Sequence, residues 1–249
     1  MTRKVVPRLL SSFLISVIWL GGSICANGAE RQVPYSESDI HRYFDDFLVF
    51  GRNASNTPII RKWNVPLQME VFEADREKEN NILAVIKTIS ERTGVRIERK
   101  NSEQKPNVLV SLTNSIPDEL IGKRRSIYEQ FFPSDAEYER FRLVVSPTDA
   151  CISATSFTDN TIKYGLFILD TSKDAINTKP CLEQQFTKIL GLKINQKSVL
   201  DSIFTERYQS LTELDEYALK ILYDPRIKSG MTIGEFFLMV DQILKQGIR

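Results

Sequence analysis

The sequence predicts an α+β fold. Strand-like apolar runs alternate with amphipathic helical stretches up to about residue 169, helices dominate from Leu182 onward, and no repeat or low-complexity tract interrupts the pattern. The expected architecture is a mixed sheet with packed helices and a mainly helical C-terminal half.

The chain opens on Arg3, Lys4 and Arg8, followed by an apolar run from Leu9 to Leu20 broken only by Ser11, Ser12 and Ser16. A basic segment and an apolar run of about a dozen residues match a secretory signal and fall short of the roughly 20 residues that span a bilayer. Residues 1–29 are therefore expected to be a cleavable signal peptide, cut after Ala26 or Ala29. The mature chain would be periplasmic or secreted, with no stable membrane span. Ile24 before Cys25 argues against lipid attachment there, since that processing needs a small residue.

Losing Arg3, Lys4 and Arg8 takes the 33 basic residues to 30 against 32 acidic ones, a net charge of −2. Such a balance argues against nucleic acid as a partner, because phosphate binding needs a concentrated basic surface. The roughly 220 residues left suffice for one well-filled core. Cys151 and Cys181 are a candidate disulfide in an oxidising compartment; the alternative is two buried thiols.

Residues 30–54 read as a linker and an N-terminal docking helix, begun near Ser36–Ser38 and carrying Ile40, Tyr43, Phe44 and Phe47 at helical spacing. A single domain is expected over 55–249. Ile59, Ile60 and Trp63, then Leu67, Met69 and Val71, read as strands broken at Pro66. Asp75 caps a helix through Thr93 that Gly94 stops. Val95–Ile97 and Val108–Leu112 are the next strands, and Asp118–Phe132 a helix ended by Pro133, with a further turn over Ser134–Arg140. Phe141–Val145, Cys151–Phe157 and Ile162–Leu169 read as three strands in hairpin layout.

The run from Gln184 to Ile194 has the outline of the zincin metallopeptidase signature, in which two histidines one helical turn apart, with a glutamate beside the first, precede a glycine and a third ligand. Gly191 keeps the glycine. Gln184 and Lys188 stand at the imidazole positions, Gln185 at the general-base position and Ile194 at the third-ligand position. Zinc needs imidazole, thiolate or carboxylate donors, and a protonated lysine repels a divalent ion. The outline thus resembles a degenerate zincin helix, and no metal, cofactor or catalytic residue is expected there.

The resemblance extends beyond that helix. Ser202, Ile203 and Phe204, then Leu211, Thr212, Glu213, Leu214 and Asp215, then Ile221, Leu222, Tyr223, Asp224, Pro225 and Arg226 with Gly230 and Met231, are similar to the C-terminal signature of an uncharacterised family of exported bacterial proteins. That family is catalogued only as a domain of unknown function. Its members usually carry two glutamates and a glutamine where this chain has Gln184, Gln185 and Lys188.

Plainer readings stand beside these. Gln184, Gln185 and Lys188 could form the solvated face of an amphipathic helix, or a vestigial cleft in which Lys188 pairs with Asp215 or Glu183. Thr212 and Asp215 suit a capping box, and Asp224, Pro225 and Arg226 a helix-stopping turn. His41, the one histidine, reads as a partly exposed helix residue, and Trp63 as packing. The function expected is an exported, non-catalytic accessory or binding protein whose partner is another envelope or periplasmic protein. The alternative is an envelope hydrolase without zinc, with Ser202, Asp215 and Lys188 as candidates; the Ser102–Lys105 spacing falls in a polar turn rather than at a helix start.

Overall fold

A computed structural model describes residues 35–248 apart from 49, 73, 102–104, 123, 174–177, 194, 196 and 206. The expected signal peptide, Ile194 and Ser102 lie outside the described residues.

The chain enters through α1 (Glu37–Phe47), begun by a capping box in which Ser36 and Asp39 exchange hydrogen bonds. Its apolar stripe is Ile40, Tyr43, Phe44 and Phe47, all fully buried. The helix first expected only to dock on the domain thus packs inside the principal core, in the same cluster as the sheet and the C-terminal helices. Strands β1 (Phe50–Arg52) and β2 (Pro58–Ile60) form a small antiparallel hairpin. Asn53 makes its turn by accepting from the Ser55 and Thr57 amides.

The main sheet is mixed. Its strands are β3 (Leu67–Phe72), β4 (Ile97–Arg99), β5 (Val108–Thr113), β6 (Cys151–Thr158) and β7 (Thr161–Asp170), in the order β4-β3-β5-β7-β6. Four are mutually parallel, and only β6, at one edge, runs antiparallel, against β7. Parallel neighbours need crossovers. One is α2 (Arg76–Thr93), capped by Asp75 and stopped by Gly94 in the left-handed conformation (φ 75°), as its sequence predicts.

Helices cover both faces of this sheet. Val108, Val110, Phe167 and Leu169 face the larger core with Ile82, Ile86 and Ile89 of α2. That core continues through α6 (Thr178–Ile189), α7 (Glu213–Leu222) and α8 (Ile233–Gln246). Leu109, Leu166 and Ile168 point to the opposite face, where α3 (Ile116–Ile121), α4 (Arg125–Glu129) and α5 (Asp135–Val144) close a second cluster around Tyr128 and Tyr138. A strand buried on both sides reads as a nearly continuous apolar run, which Val108–Leu112 is apart from Ser111, whose buried hydroxyl is hydrogen-bonded to that of Tyr128.

Three local expectations change. Phe141–Val145 is not a strand: Phe141 to Val144 continue α5, whose register is set by the Ser134 cap and by buried Tyr138, leaving Leu143 and Val144 73% and 78% exposed respectively on the outer side for the whole residue. A short apolar run cannot by itself distinguish strand from helix. Asp118–Phe132 is two short helices, broken where Gly122 turns extended (ψ −162°). The strand expected at Val95–Ile97 begins only at Ile97, because pairing with Leu67 sets its register, and Val95 is spent closing the turn.

Candidate functional site

Helix α6 is held from both sides. Cys181 at its start is joined to Cys151 on edge strand β6 by a disulfide, with Cα atoms 6.2 Å apart, so the candidate pairing is made. At its end Trp63 Nε1–H donates to the Ile189 carbonyl at 2.8 Å and Tyr223 Oη–H to the Leu190 carbonyl at 2.9 Å. These are two of the carbonyls a helix end leaves without intrahelical partners. Gly191 then takes φ 103°, where an added Cβ would also sit 3.3 Å from the Arg61 carbonyl oxygen. The Leu-Gly-Leu string is thus a helix stop clamped by an aromatic residue on each side.

Between these clamps, Gln185 is only 5% exposed. Its Oε1 accepts from Ser153 Oγ on β6 at 2.8 Å and from Lys188 Nζ at 3.0 Å. Burial pulls the Lys188 ammonium below the ordinary lysine range, opposed by the Asp149 carboxylate. Gln184 donates to the Ile203 carbonyl. The solvated-face reading therefore fails at Gln185, which lies between helix and sheet. The other pairing fails as well: Asp215 is engaged elsewhere, and buried Glu183 accepts from the Leu211 amide at 2.9 Å.

Asp215 is a structural hub. Its Oδ1 accepts from Tyr43 Oη at 2.7 Å and Ser202 Oγ at 2.6 Å, and its Oδ2 from the Ile203 and Thr212 amides and the Thr212 hydroxyl. The capping box read from Thr212 and Asp215 is present at the start of α7. The same carboxylate also ties α1 and the 202–204 segment to that helix, which spacing alone did not reveal. Ser202 is fully buried, donates to Asp215 and accepts from the Phe204 amide. Such a hydroxyl is placed as a strut rather than as a nucleophile. Burial beside Asp215 drives the Tyr43 phenol well above its usual range.

The signature turn after α7 is equally built. Asp224, buried, accepts the Arg226 guanidinium in a two-pronged pair at 2.8 Å on each oxygen, and Arg226 also donates to the Gly247 carbonyl at 2.6 Å, fastening the end of α8. Pro225 sits exposed at the tip.

Lys62, which sequence reasoning passed over, lies under this turn. It is 6% exposed, its Nζ donates to the Leu222 carbonyl at 2.8 Å, and it stands 5.2 Å from the Tyr223 ring centroid. Burial, helped by Lys228, lowers it to about 8 against the pull of Asp224. Two basic residues, Arg61 and Lys62, between apolar Ile60 and Trp63 in a run that otherwise goes inward were the available signal. Lys62, Trp63, Arg96, Tyr223, Lys228 and Ser229 help line a cavity of about 500 Å³ below the N-terminal ends of β3 and β4.

Two further cavities, of about 450 and 330 Å³, lie near the C-terminal ends of β5 and β7, where parallel sheets usually bind ligands. In the larger one, Glu119 is engaged by Arg124 and Tyr128, and Asn114 by Thr171. Among the described residues, the group able to hold a metal is Glu37, His41 and Asp241, whose ligand atoms lie within 4.8 Å of one another. There His41 Nε2 pairs with Asp241 at 2.6 Å and its ring stacks on Phe237. This group is on α1 and α8, not on α6. Gln184, Gln185 and Lys188 offer amides and an amine and do not fit a zinc ion.

The described residues thus form a mixed α/β fold of eight helices and a five-stranded sheet beside a two-stranded one, in which no helix is long and apolar enough to cross a membrane. The chain belongs to the family described as "Protein of unknown function (DUF2927)", which matches residues 38–242. That span takes in nearly all of α1 and most of α8, so the N-terminal helix expected to lie outside the domain falls within the family match. No curated protein matches the chain.

Proposed function

We propose that this chain is an exported, non-catalytic binding or accessory protein built on a degenerate, metal-free zincin-like fold, and that its partner is another envelope or periplasmic protein. The observation that carries the reading is the Gln185 carbonyl, which accepts from both Lys188 and Ser153. A lysine amine and a buried amide occupy the helix face where a zincin would present imidazoles and a carboxylate. A cation placed there would meet no anionic ligand from α6 and would have to break both hydrogen bonds. The signal-like start and the Cys151–Cys181 disulfide support export to an oxidising compartment.

The test uses mature protein purified from the export compartment without a histidine tag. Metal is measured by plasma mass spectrometry and peptidase activity on unfolded casein, for the wild type, Gln185→Ala and His41→Ala. The expected result is no metal-dependent turnover, and any bound metal lost in His41→Ala alone. Metal-dependent turnover abolished by Gln185→Ala would refute the proposal.

A further inference from the structure

We propose that the cavity beneath the turn after α7 binds a small soluble organic anion, its charged end held by Lys62 and Lys228 with Arg96 at the rim and its apolar body lying against Val65, Pro66 and Ile227. The site does not depend on export or on the state of α6, so it stands or falls apart from the reading above.

The segregation of charge comes first. The lining holds Lys62, Arg96 and Lys228 and no aspartate or glutamate, in a chain whose acidic and basic residues are nearly balanced. Arg96 engages Glu98 through Nε at 2.5 Å on the exposed strand edge. Lys228 is exposed and has no ion pair among the described residues. The Asn64 and Ser229 side chains add neutral polar groups to the same wall.

Depth comes second. Lys62 stands at the bottom, and the Leu222 carbonyl takes one of the three N–H bonds an ammonium offers. A buried ammonium with donors to spare is expensive without a counter-charge. The carboxylate that acts on it, Asp224, is already in the two-pronged pair with Arg226. A ligand anion would supply the missing charge, and about 500 Å³ is room for a small organic molecule rather than a bare ion.

Protonation gives the site a signature. Lys228 pushes the Lys62 proton off and Asp224 holds it on, with burial the largest influence and a balance at about 8. Tyr223 donates its own proton to Leu190, and Arg226 keeps its charge throughout. An arriving anion favours charged Lys62, so binding above pH 8 takes up a proton and affinity falls as pH rises through about 8.

Phenyl phosphate and benzoate are the probes, with benzyl alcohol as the neutral control, titrated by calorimetry into the mature protein at pH 7 and pH 9. One of the two anions is expected to bind with a dissociation constant below about 1 mM, benzyl alcohol not to bind, and affinity to drop several-fold at pH 9. Arg96→Glu with Lys228→Glu should weaken binding at least tenfold. Both positions are exposed, so that variant tests the site without disturbing the core. Lys62→Met should remove the pH step. No binding of either anion at 10 mM, or equal affinity in the double variant, would overturn the proposal.

Discussion

Asp215→Ala should cost far more stability than any change on the helix surface. In the native protein the carboxylate accepts from Tyr43, Ser202 and Ile203, all 0–1% exposed, as well as from Thr212. Alanine leaves the Tyr43 and Ser202 hydroxyls and the Ile203 amide without that acceptor. A buried donor left unsatisfied costs about 1–3 kcal/mol. Three such donors give at least about 3 kcal/mol, and up to roughly twice that after local relaxation, against a whole-domain stability of about 5–15 kcal/mol. Asp215→Asn is the informative companion. Its carbonyl oxygen can still serve Tyr43 and Ser202, but its NH2 would face the donating amides of Ile203 and Thr212, for a cost of about 2–4 kcal/mol. Urea unfolding followed by tryptophan fluorescence measures both, as a lower midpoint at unchanged slope. If Asp215→Ala unfolds within about 1 kcal/mol of the wild type, Asp215 is not the hub argued above.

Other positions give independent checks. Gly191→Ala forces a side chain to φ 103° and against the Arg61 carbonyl, and should lower stability by about 1–3 kcal/mol in the same urea assay. Reducing the Cys151–Cys181 bond, which spans 30 residues of sequence, should cost about 3–4 kcal/mol, read as the shift in urea midpoint with dithiothreitol. Lys62 holds its proton to about pH 8 when folded and to the ordinary lysine value of 10.5 when unfolded, so between those values the unfolded chain binds the extra proton. Stability from this group therefore rises with pH across that window, by roughly 3 kcal/mol in full. Denaturation at pH 7.5 and 10 should show that rise in the wild type relative to Lys62→Met, and its absence would mean that Lys62 is hydrated.

Much of the local structure was legible without coordinates, because it depends on neighbours in sequence. Ser36, Asp75 and Thr212 announced their helices because a cap needs only the next three residues, and Gly94 the end of the helix Asp75 begins because only backbone without a side chain turns left-handed cheaply. The Cys151–Cys181 pairing could be named because two cysteines remain beyond the expected signal peptide. The departure of Gln184, Gln185 and Lys188 from a metal-binding pattern was likewise readable, since donor chemistry belongs to the residue itself.

What tertiary structure alone decided concerns partners distant in sequence. Gln185 looked solvated because helical periodicity fixes which residues share a face, not what covers it; β6, brought over by the antiparallel edge pairing, buries it. Asp215 satisfies its own helix cap and also Tyr43, 172 residues away, a coincidence no local rule anticipates. Phe141–Val145 has the composition of a strand, but the Ser134 cap and the burial of Tyr138 set a helix that carries Phe141 to Val144 along its outer side, and the sheet ends at β6 without them. Lys62 became part of a site only when the turn after α7 closed over it. Sequence determines the alphabet of caps, stops and donors, because those act over one helical turn; the assembly of a buried charge, its carbonyl and its cavity comes from segments 160 residues apart, where only packing sets the distances.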